Sequence, residues 1–198
     1  MKLKDSETFK NLARAYAGEC QARTRYEFVE YGFRYNGYES VAQIIDRVAY
    51  QEFHHARMIY TLIQDAEMKE VDNIDIEAGF PFKEKWQMIE NLRLIAEDEK
   101  ADAEAYAEFI EVAEEEGFED VVDLFQKIME VELQHQALFE ELYNQFSTET
   151  VYKKDELTLW VCPNCGYATE SKEAWDNCPL CQAKQGVCEI VLPENIIF

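Results

Sequence analysis

The amino-acid sequence predicts a mainly α-helical protein, in which a four-helix bundle is followed by a small domain of β-strands and loops. Three observations support this prediction. Two stretches that are 80 residues apart repeat each other without a gap, so that Asn11-Leu12 recurs as Asn91-Leu92. Each repeat contains two segments of helical periodicity that are joined by a short glycine turn. Finally, four of the six cysteines form two Cys-x-x-Cys pairs near the C-terminus.

The first repeat is expected to form a helical hairpin. Phe9 and Leu12 belong to one apolar stripe, which predicts a helix over about residues 5–35. Gly37 ends this helix, because glycine adopts the left-handed conformation of a C-cap without strain. A second helix is predicted over about residues 39–67.

The second repeat is expected to form a matching hairpin, with helices over about residues 84–116 and 119–146. The stretch between the hairpins, residues 68–83, contains Gly79 and Pro81, so we expect a connection there rather than a helix. Two tight hairpins joined by a long crossover are typical of a ferritin-like four-helix bundle.

The chain is therefore expected to divide into three parts. The bundle occupies residues 1–146, a polar linker occupies residues 147–158, and a cysteine-rich domain occupies residues 159–198. Within this last domain, residues 189–192 read Glu-Ile-Val-Leu and have the alternation that is typical of β-strands.

Composition limits the partners that the protein can have. The sequence contains 41 acidic and 19 basic residues, which gives a formal net charge of −22. Nucleic acid and anionic membranes are poor partners for such a surface. No run of residues approaches the roughly 20 apolar residues of a membrane span, and the charged N-terminus lacks a signal-peptide core. We therefore expect a cytoplasmic protein.

The repeat preserves acids and histidines as well as apolar residues. Each half contributes one Glu and, 33 residues later, a Glu-x-x-His: these are Glu19, Glu52 and His55, and then Glu99, Glu132 and His135. Residues three apart share a helix face. A lone helical Glu is usually solvated, but a surface role gives no reason to keep six such groups in register. Burying the carboxylates requires cations, so we predict two metal ions, and the oxygen-rich ligands favour iron or manganese.

Helix three contains neighbouring acids, and the helix register decides which of them faces the ions. The repeat pairs Glu99 with Glu19, so Glu99 is the expected ligand and Asp98 is expected at the surface. Asp102 shares the face of Glu99 but has no mate, because its repeat position is Ala22. The site is therefore predicted to have a fifth carboxylate on one side.

Three other side chains lie close to the predicted ligands. His54 points about 100° away from His55 around the helix, so we expect it at the surface or beside a ligand. Tyr26 and Tyr106 lie two turns from the first Glu of each repeat. Core packing is the favoured role for both phenols, and a hydrogen bond to a metal ligand is the alternative.

The C-terminal domain is predicted to hold one further metal ion with four thiolates, those of Cys162, Cys165, Cys178 and Cys181. In a chain without an export signal, this spacing indicates a metal site rather than disulfides. Four cysteines alone do not separate zinc from iron, and a zinc ribbon is favoured if the tail is considered alone. Beside a dinuclear bundle an iron site is favoured, because the bundle needs an electron source. Cys20 and Cys188 are expected to be buried or idle thiols.

Five motifs occur in order along the chain: Ala17-Gly18-Glu19-Cys20-Gln21-Ala22-Arg23, Gln51-Glu52-x-x-His55, Glu115-Glu116-Gly117-Phe118, Glu132-x-x-His135 and Trp160-Val161-Cys162-Pro163-x-Cys165-Gly166-Tyr167. In this order, the set resembles the rubrerythrin family over essentially the whole chain. Each motif is modest by itself, but the ordered set is highly specific.

The resemblance implies a non-haem diiron peroxidase that reduces hydrogen peroxide to water in the cytoplasm, as a defence against oxidative stress. Electrons would pass through a rubredoxin-type iron from an NAD(P)H-dependent reductase or another redox protein, and two chains would pair head to tail as a homodimer. By position, the diiron ligands and catalytic residues are Glu19, Glu52, His55, Glu99, Asp102, Glu132 and His135, and the four cysteines hold the single iron.

Helix three departs from the family pattern, which is Gly-Glu-x-x-Glu. An alignment anchored on Tyr106 would place Asp98 and Ala101 at the ligand positions, whereas the internal repeat selects Glu99 and puts Asp102 in place of the second Glu. We adopt the repeat, because both hairpins must meet the same pair of ions.

Two other functions are compatible with the sequence. A ferritin-like protein could oxidise or hold iron, although such a protein needs no one-electron relay. A metal sensor could carry zinc in its tail. The metal content of the purified protein separates these alternatives from the peroxidase.

Overall fold

Four long helices and a small antiparallel sheet make up the fold. The computed structural model describes residues 2–66, 71, 73–83 and 87–197. In chain order the elements are α1 (Glu7–Tyr35), α2 (Glu39–Asp65), α3 (Met88–Glu116), α4 (Glu119–Ser147), β1 (Lys153–Val161) and β2 (Ala168–Glu173), with one-turn 3₁₀ helices at Leu3–Asp5 and Gln185–Val187. The predicted bundle with a small C-terminal β domain is confirmed. None of the described helices is long and apolar enough to cross a membrane.

The ends of the helices follow local signals in the sequence. α1 begins after Ser6, whose hydroxyl accepts a hydrogen bond from the N–H of Phe9 at 3.1 Å. The tight turns are at Gly37 and Gly117, where φ is 86° and 81°, a conformation that glycine adopts without strain. Two expected boundaries lie outside the described residues: the end of helix two at residue 67 and the start of helix three at residue 84.

A layer of buried acids and histidines divides the apolar core into two clusters. The cluster next to the α1–α2 turn includes Tyr26, Val29, Phe33, Val41, Ile45, Leu138, Phe139 and Leu142. The cluster next to the α3–α4 turn includes Phe9, Leu12, Ile59, Tyr106, Ile110, Phe125 and Ile128. On each helix the buried acid lies between residues of the two clusters, as Glu19 does between Leu12 and Tyr26. Because carboxylates are rarely buried, this layer marks the functional level of the bundle.

The sheet begins earlier in the chain than the composition indicates. β1 starts at Lys153, inside residues 147–158, for which the sequence predicts a polar linker. It pairs with β2 in antiparallel register, with Trp160 opposite Thr169. Within residues 153–158 only Lys154 and Thr158 are half-buried and the others are exposed, which explains why this segment has the composition of a linker.

Residues 189–192 form no strand, although their alternation is typical of one. The N–H of Glu189 donates to the carbonyl of Val161 at 3.0 Å. Ile190 and Leu192 pack against the apolar cluster next to the α1–α2 turn. The alternation therefore serves to pack this segment onto the bundle rather than to extend the sheet.

The C-terminal domain is docked on the end of its own bundle. Gly186 lies so close to the α1–α2 turn that a Cβ atom there would be 1.8 Å from the carbonyl oxygen of Gly37. Two side chains of the bundle donate hydrogen bonds to tail carbonyls: Ser40 Oγ to Val187 at 2.6 Å and Gln145 Nε2 to Val191 at 2.9 Å. The aromatic ring of Tyr152 packs against both the bundle cluster and the core of the tail.

Candidate metal centres

All four helices contribute to a buried polar centre in the bundle. Six residues form it, and each is at most 5% exposed: Glu19 from α1, Glu52 and His55 from α2, Glu99 from α3, and Glu132 and His135 from α4. They form two groups in which the potential ligand atoms lie within 4.8 Å of one another. One group is Glu19, Glu52, His55 and Glu132, and the other is Glu52, Glu99, Glu132 and His135. Glu52 and Glu132 belong to both groups, which is the arrangement needed to bridge two ions.

The contacts of the histidines indicate where the ions would lie. His55 Nδ1 is 3.0 Å from Glu132 Oε1, 3.2 Å from Glu52 Oε2 and 3.3 Å from Glu19 Oε2. His135 Nδ1 is likewise 3.0 Å from Glu52 Oε1 and 3.3 Å from Glu132 Oε2. One imidazole nitrogen carries at most one proton and cannot donate to three carboxylates. Several oxygens around one nitrogen fit ligands that share a cation.

Unsatisfied atoms in the centre give a second test of this fit. Among the described residues, Oε1 of Glu52 and Oε1 of Glu132 are buried and have no hydrogen-bond partner, although each lies 3.0 Å from an imidazole nitrogen. A buried carboxylate oxygen without a partner is costly. Both atoms belong to the shared carboxylates, where a bound cation would satisfy them. The donor set therefore fits two metal ions, each with oxygen ligands and one imidazole, as iron and manganese prefer.

Electrostatics in the centre favour the uptake of cations. Burial raises the pKa of Glu19 and of Glu99 well above the usual value for Glu, and the charge of Glu132 acts in the same direction. At Glu52 burial also acts to raise the pKa, but hydrogen bonds with the two imidazoles outweigh it and the pKa is lowered. Carboxylates with raised pKa and carboxylates with lowered pKa are crowded together here, and they are stable only with protons or metal ions between them.

The two phenols near the centre hydrogen-bond to its acids. Tyr26 OH donates to Glu99 Oε1 at 2.6 Å, and Tyr106 OH donates to Glu19 Oε1. Both rings are also buried in the apolar clusters, so the phenols have the favoured role of core packing and also the alternative role of a hydrogen bond to a predicted ligand. Each hydrogen bond crosses between the two hairpins, which helical periodicity does not reveal.

Helix three turns Asp98 and Glu99 in different directions. Glu99 joins the polar centre, whereas Asp98 Oδ2 is 2.5 Å from Arg25 Nη2 on α1 and Asp98 Oδ1 is 2.9 Å from Lys83 Nζ on the crossover. The expectation that Asp98 lies at the surface is wrong, because its exposure is only 5%. The missing information was the position of Arg25, which sits opposite Asp98 only after the two hairpins have packed.

Asp102 lines a cavity rather than joining either ligand group. The cavity measures about 340 Å³ and lies between α1, α3 and residues 77–81 of the crossover. Its inner wall includes carboxylates of the polar centre: Glu19, Glu52, Glu99 and Glu132. Burial, together with the charges of Glu132 and Glu52, raises the pKa of Asp102 to about 7.

Two residues next to the α2 ligands differ in their roles. His54 lies outside both ligand groups, and its ring packs edge-on against Tyr50 at 4.6 Å and Phe53 at 5.3 Å. Gln51 contacts the centre, since its Oε1 is 2.9 Å from Nε2 of His135. The sequence contains no direct signal for the Gln51 contact, because it joins α2 to α4 across the bundle.

The four tail cysteines form a separate centre. Their sulfur atoms lie within 4.8 Å of one another, with Cys162 Sγ 3.7 Å from Cys181 Sγ and Cys165 Sγ 3.6 Å from Cys178 Sγ. A tetrahedral ion with bonds of about 2.3 Å requires sulfur atoms about 3.8 Å apart. The four thiols therefore fit a single tetrahedral ion such as iron or zinc.

The two halves of the cysteine centre have matching turns. Gly166 N–H donates to the Cys162 carbonyl at 2.8 Å, and Gln182 N–H donates to the Cys178 carbonyl at 2.9 Å. Gln182 has φ 63°, so it adopts the left-handed conformation that Gly166 adopts with φ 74°. Although burial acts in the opposite direction, backbone N–H groups of residues 181 and 180 lower the pKa of Cys178 to about 7. Such N–H···S contacts stabilise thiolates.

The remaining cysteines lie outside the sulfur group. Cys188 is fully buried against Trp160 and Ala174 in the core of the tail, where burial raises the pKa of its thiol to about 11. Cys20 is exposed on α1. Cys188 therefore has the packing role that the sequence predicts for a buried thiol.

Comparisons with known proteins follow the same division of the chain. A family model described as Rubrerythrin matches residues 10–143, and one described as Rubrerythrin, rubredoxin-like domain, matches residues 160–187. Rubrerythrin of Clostridium perfringens is 36% identical over 95% of this chain and 96% of its own length. Rubrerythrin of Porphyromonas gingivalis is 35% identical over 94% of this chain and 91% of its own.

Solved structures share the architecture. A partially reduced nigerythrin has a TM-score of 0.61 at 25% identity, over 93% of this chain and 86% of that chain. The bacterioferritin of Desulfovibrio desulfuricans has the same TM-score of 0.61 at 22% identity, over 73% of this chain and 82% of that chain. The second likeness shows the ferritin-like fold of the bundle.

Proposed function

The chain belongs to the rubrerythrin family, and we propose that it is a non-haem diiron peroxidase that reduces hydrogen peroxide to water. The family and the two candidate centres make it a diiron redox protein with a rubredoxin-like iron site. The observation that carries the proposal is the pair of overlapping ligand groups, which share Glu52 and Glu132. Two adjacent ions can contribute one electron each to the same substrate molecule.

Reduction of one peroxide to two waters consumes two electrons and two protons. Iron bound in the bundle would supply the electrons that break the O–O bond. The Asp102 carboxyl on the cavity wall is placed to supply a proton, because burial and the charges of Glu132 and Glu52 raise its pKa to about 7 in the metal-free protein. Two phenols keep the terminal carboxylates in place during the reaction, because each binds the oxygen that points away from the imidazoles.

The cavity supports a small substrate. Its volume of about 340 Å³ is many times larger than the roughly 30 Å³ that one water molecule occupies in the liquid. Hydrogen peroxide therefore fits inside it. Small side chains, including Gly18, Ala22 and Ala105, leave the space open between α1 and α3. Residues 77–81 of the crossover form its outer wall, which limits the access of bulk water to the carboxylates.

Electrons would enter through the cysteine centre in the tail. This tail contacts α2 at Ser40, and Ser40 lies twelve residues, or about 18 Å along the helix, from Glu52. Because the tail docks at this end of its own bundle rather than beside the polar centre, we propose a head-to-tail homodimer in which the tail of one chain lies over the bundle of its partner. Exposed apolar side chains on both surfaces support this pairing: Leu157, Leu159 and Leu180 on the tail, and Phe28, Tyr31 and Tyr50 on the bundle.

The electron donor is proposed to be an NAD(P)H-dependent reductase or another redox protein in the cytoplasm. Cys181 is exposed at the edge of the cysteine centre, next to the exposed side chain of Leu180. An accessible ligand beside an apolar side chain is a suitable contact for a redox partner, because electron transfer requires close approach. The enzyme would then serve in the defence against oxidative stress.

Metal analysis and single-turnover kinetics test the proposal together. The peroxidase should contain three irons per chain, and the anaerobically reduced bundle should be oxidised by one equivalent of peroxide. A ferritin-like iron-holding protein would instead accumulate iron beyond three per chain, and a sensor would contain zinc in the tail. Two irons with one zinc, or no oxidation of the reduced bundle by peroxide, would reject the peroxidase. A monomeric mass at micromolar concentration with intact electron transfer would reject the dimer.

A further inference from the structure

We infer that Gln51 is a positioning residue that fixes the tautomer and the orientation of His135, and that the ion on the His55 side is the more weakly held of the two because Val131 offers no equivalent support. The inference rests on the two-ion site but does not depend on the peroxidase reaction.

The contact between Gln51 and His135 determines which nitrogen faces the metal. Gln51 Oε1 lies 2.9 Å from His135 Nε2. An amide oxygen only accepts hydrogen bonds, so Nε2 carries a proton, and Nδ1 is the nitrogen that gives up its proton when an ion binds. Nδ1 is the atom that lies 3.0 Å from Glu52 and 3.3 Å from Glu132. If the amide were turned, its NH₂ group would place the imidazole proton on Nδ1, where it would block the ligand position.

The other half of the bundle lacks this support. The internal repeat pairs Gln51 with Val131 and His135 with His55. By this symmetry, Val131 on α4 occupies the position from which a glutamine would reach His55, and a valine side chain has no acceptor. Within the described residues, no group hydrogen-bonds to Nε2 of His55, and that atom is not among the buried polar atoms without a partner. Water is therefore its available partner.

Unequal support predicts unequal binding of the two ions. A protein acceptor fixes the ring and raises the basicity of the ligating nitrogen, and loss of such a partner typically weakens metal binding by about 10–100-fold. A water partner exchanges and leaves the ring free to change its tautomer. We therefore expect the ion on the His135 side to bind first and to be removed last by a chelator.

The test is a titration of the metal-free protein with Zn²⁺, followed by the NMR signals of ¹⁵N-labelled histidine. The chain has only three histidines, and none of them belongs to the cysteine centre, so the spectrum reports on the bundle. In the wild type, the signals of His135 should shift before those of His55. The Nε2 proton of His135 should be resolved and protected from exchange with water.

Variants at the two equivalent positions provide matched comparisons. Gln51→Met keeps the length of the side chain but removes the acceptor, so the protected proton should be lost and Zn²⁺ on the His135 side should bind about 10–100-fold more weakly. Gln51→Glu retains an acceptor, so this variant should keep both the protected Nε2 proton and the wild-type Zn²⁺ affinity on the His135 side. Val131→Gln should strengthen the His55 side and bring the two affinities together.

Three results would overturn the inference. The first is that the NMR signals of His55 and His135 shift at the same Zn²⁺ concentration in the wild type. The second is that Gln51→Met keeps the protected Nε2 proton and the wild-type order of Zn²⁺ binding. The third is that Val131→Gln leaves the order of Zn²⁺ binding unchanged. Because no turnover is measured, failure of the peroxidase proposal would leave these readouts unaffected.

Discussion

The phenol of Tyr26 on α1 binds Oε1 of Glu99 on α3 at 2.6 Å, and so links the two hairpins at the polar centre. Tyr106 on α3 makes the reciprocal contact with Glu19 on α1. In both acids, one oxygen accepts from a phenol while the other faces an imidazole. The positions of the terminal carboxylates therefore depend on how the hairpins pack against each other.

Tyr26→Phe should keep the ring packing but leave Glu99 Oε1 without its donor. Loss of a partner at a buried acceptor costs about 1–3 kcal/mol, so the free energy of unfolding should fall by that amount. The ion on the Glu99 side should also bind more weakly. Urea denaturation and the iron content of the purified variant measure both effects. Tyr106→Phe is the matched control and should weaken the Glu19 side instead. Wild-type stability and iron content in both variants would contradict a positioning role for the phenols.

Glu52→Ala or Glu132→Ala should abolish the oxidation of the reduced bundle by peroxide. Each of these residues belongs to both ligand groups, so its removal affects both ions at once. The tail centre has no ligand from the bundle, and its red rubredoxin-type absorbance should remain. Stopped-flow absorbance after anaerobic reduction follows both signals in one experiment. Full turnover in either variant would remove the diiron assignment.

The stability of the metal-free protein should depend on pH through Asp102. Burial and the nearby acids raise its pKa to about 7, whereas an unfolded Asp has a pKa of about 3.9. As the pH rises, Asp102 therefore loses its proton at a lower pH in the unfolded chain than in the folded protein. The contribution of Asp102 to the free energy of unfolding should consequently fall as the pH rises from about 4 to about 7. Above that range the loss is complete and constant.

Asp102→Asn should remove this part of the pH dependence, because the amide does not titrate. Urea denaturation of the metal-free wild type and variant at about pH 5 and about pH 8 measures the difference. The variant should gain most at the higher pH. Equal gains at both pH values would show that the Asp102 carboxyl is not desolvated in the folded protein.

Gly186→Ala should disturb the docking of the tail on its own bundle. The added Cβ atom would lie 1.8 Å from the carbonyl oxygen of Gly37, and both groups belong to backbone that cannot move independently. Gly32→Ala is the control, because it lies within α1 and has no neighbouring atom within 4 Å; it should stabilise the protein by about 0.5–1 kcal/mol. Limited proteolysis near residues 147–152 should accelerate in Gly186→Ala alone. Equal resistance of both variants would argue against the observed docking.

Helical periodicity and the repeat predicted the bundle because they report which face of each helix is apolar. The same offset of 80 residues selected the six side chains that the fold brings together, since both halves must meet at one centre. Those predictions needed only the position of a residue on its own helix.

Features that depend on a partner in another element were beyond this reasoning. The burial of Asp98 depends on Arg25, and the role of Gln51 depends on His135 on a different helix. Similarly, residues 189–192 have the alternation of a strand, but their apolar side chains pack on the bundle. Sequence periodicity indicates which face of a helix or strand is apolar, but it does not identify the other element that packs against this face.

Glu99 and Asp98 provide the sharpest test of the register of α3. Successive residues turn by about 100°, so only one of two neighbouring acids can reach the ions. Glu99 belongs to the ligand group of His135, and Glu99→Ala should lose at least one iron. Asp98→Ala should keep both irons, because its carboxylate contacts Arg25 and Lys83 instead.

Asp98→Ala should nevertheless lose stability, unlike a substitution at the surface. Arg25, whose side chain is 11% exposed, would keep its hydrogen bond to Gln21 but lose the carboxylate at 2.5 Å. Losing one partner of a largely buried ion pair is destabilising, so the free energy of unfolding should fall by about 1–3 kcal/mol. Lys83 is half exposed and should contribute little. The double variant Asp98→Ala/Arg25→Met should recover much of the loss, since an apolar side chain tolerates the buried position. Iron analysis and urea denaturation of all three variants separate the two roles. If Asp98→Ala emptied the site and Glu99→Ala did not, α3 would have a different register from α1 at the metal layer.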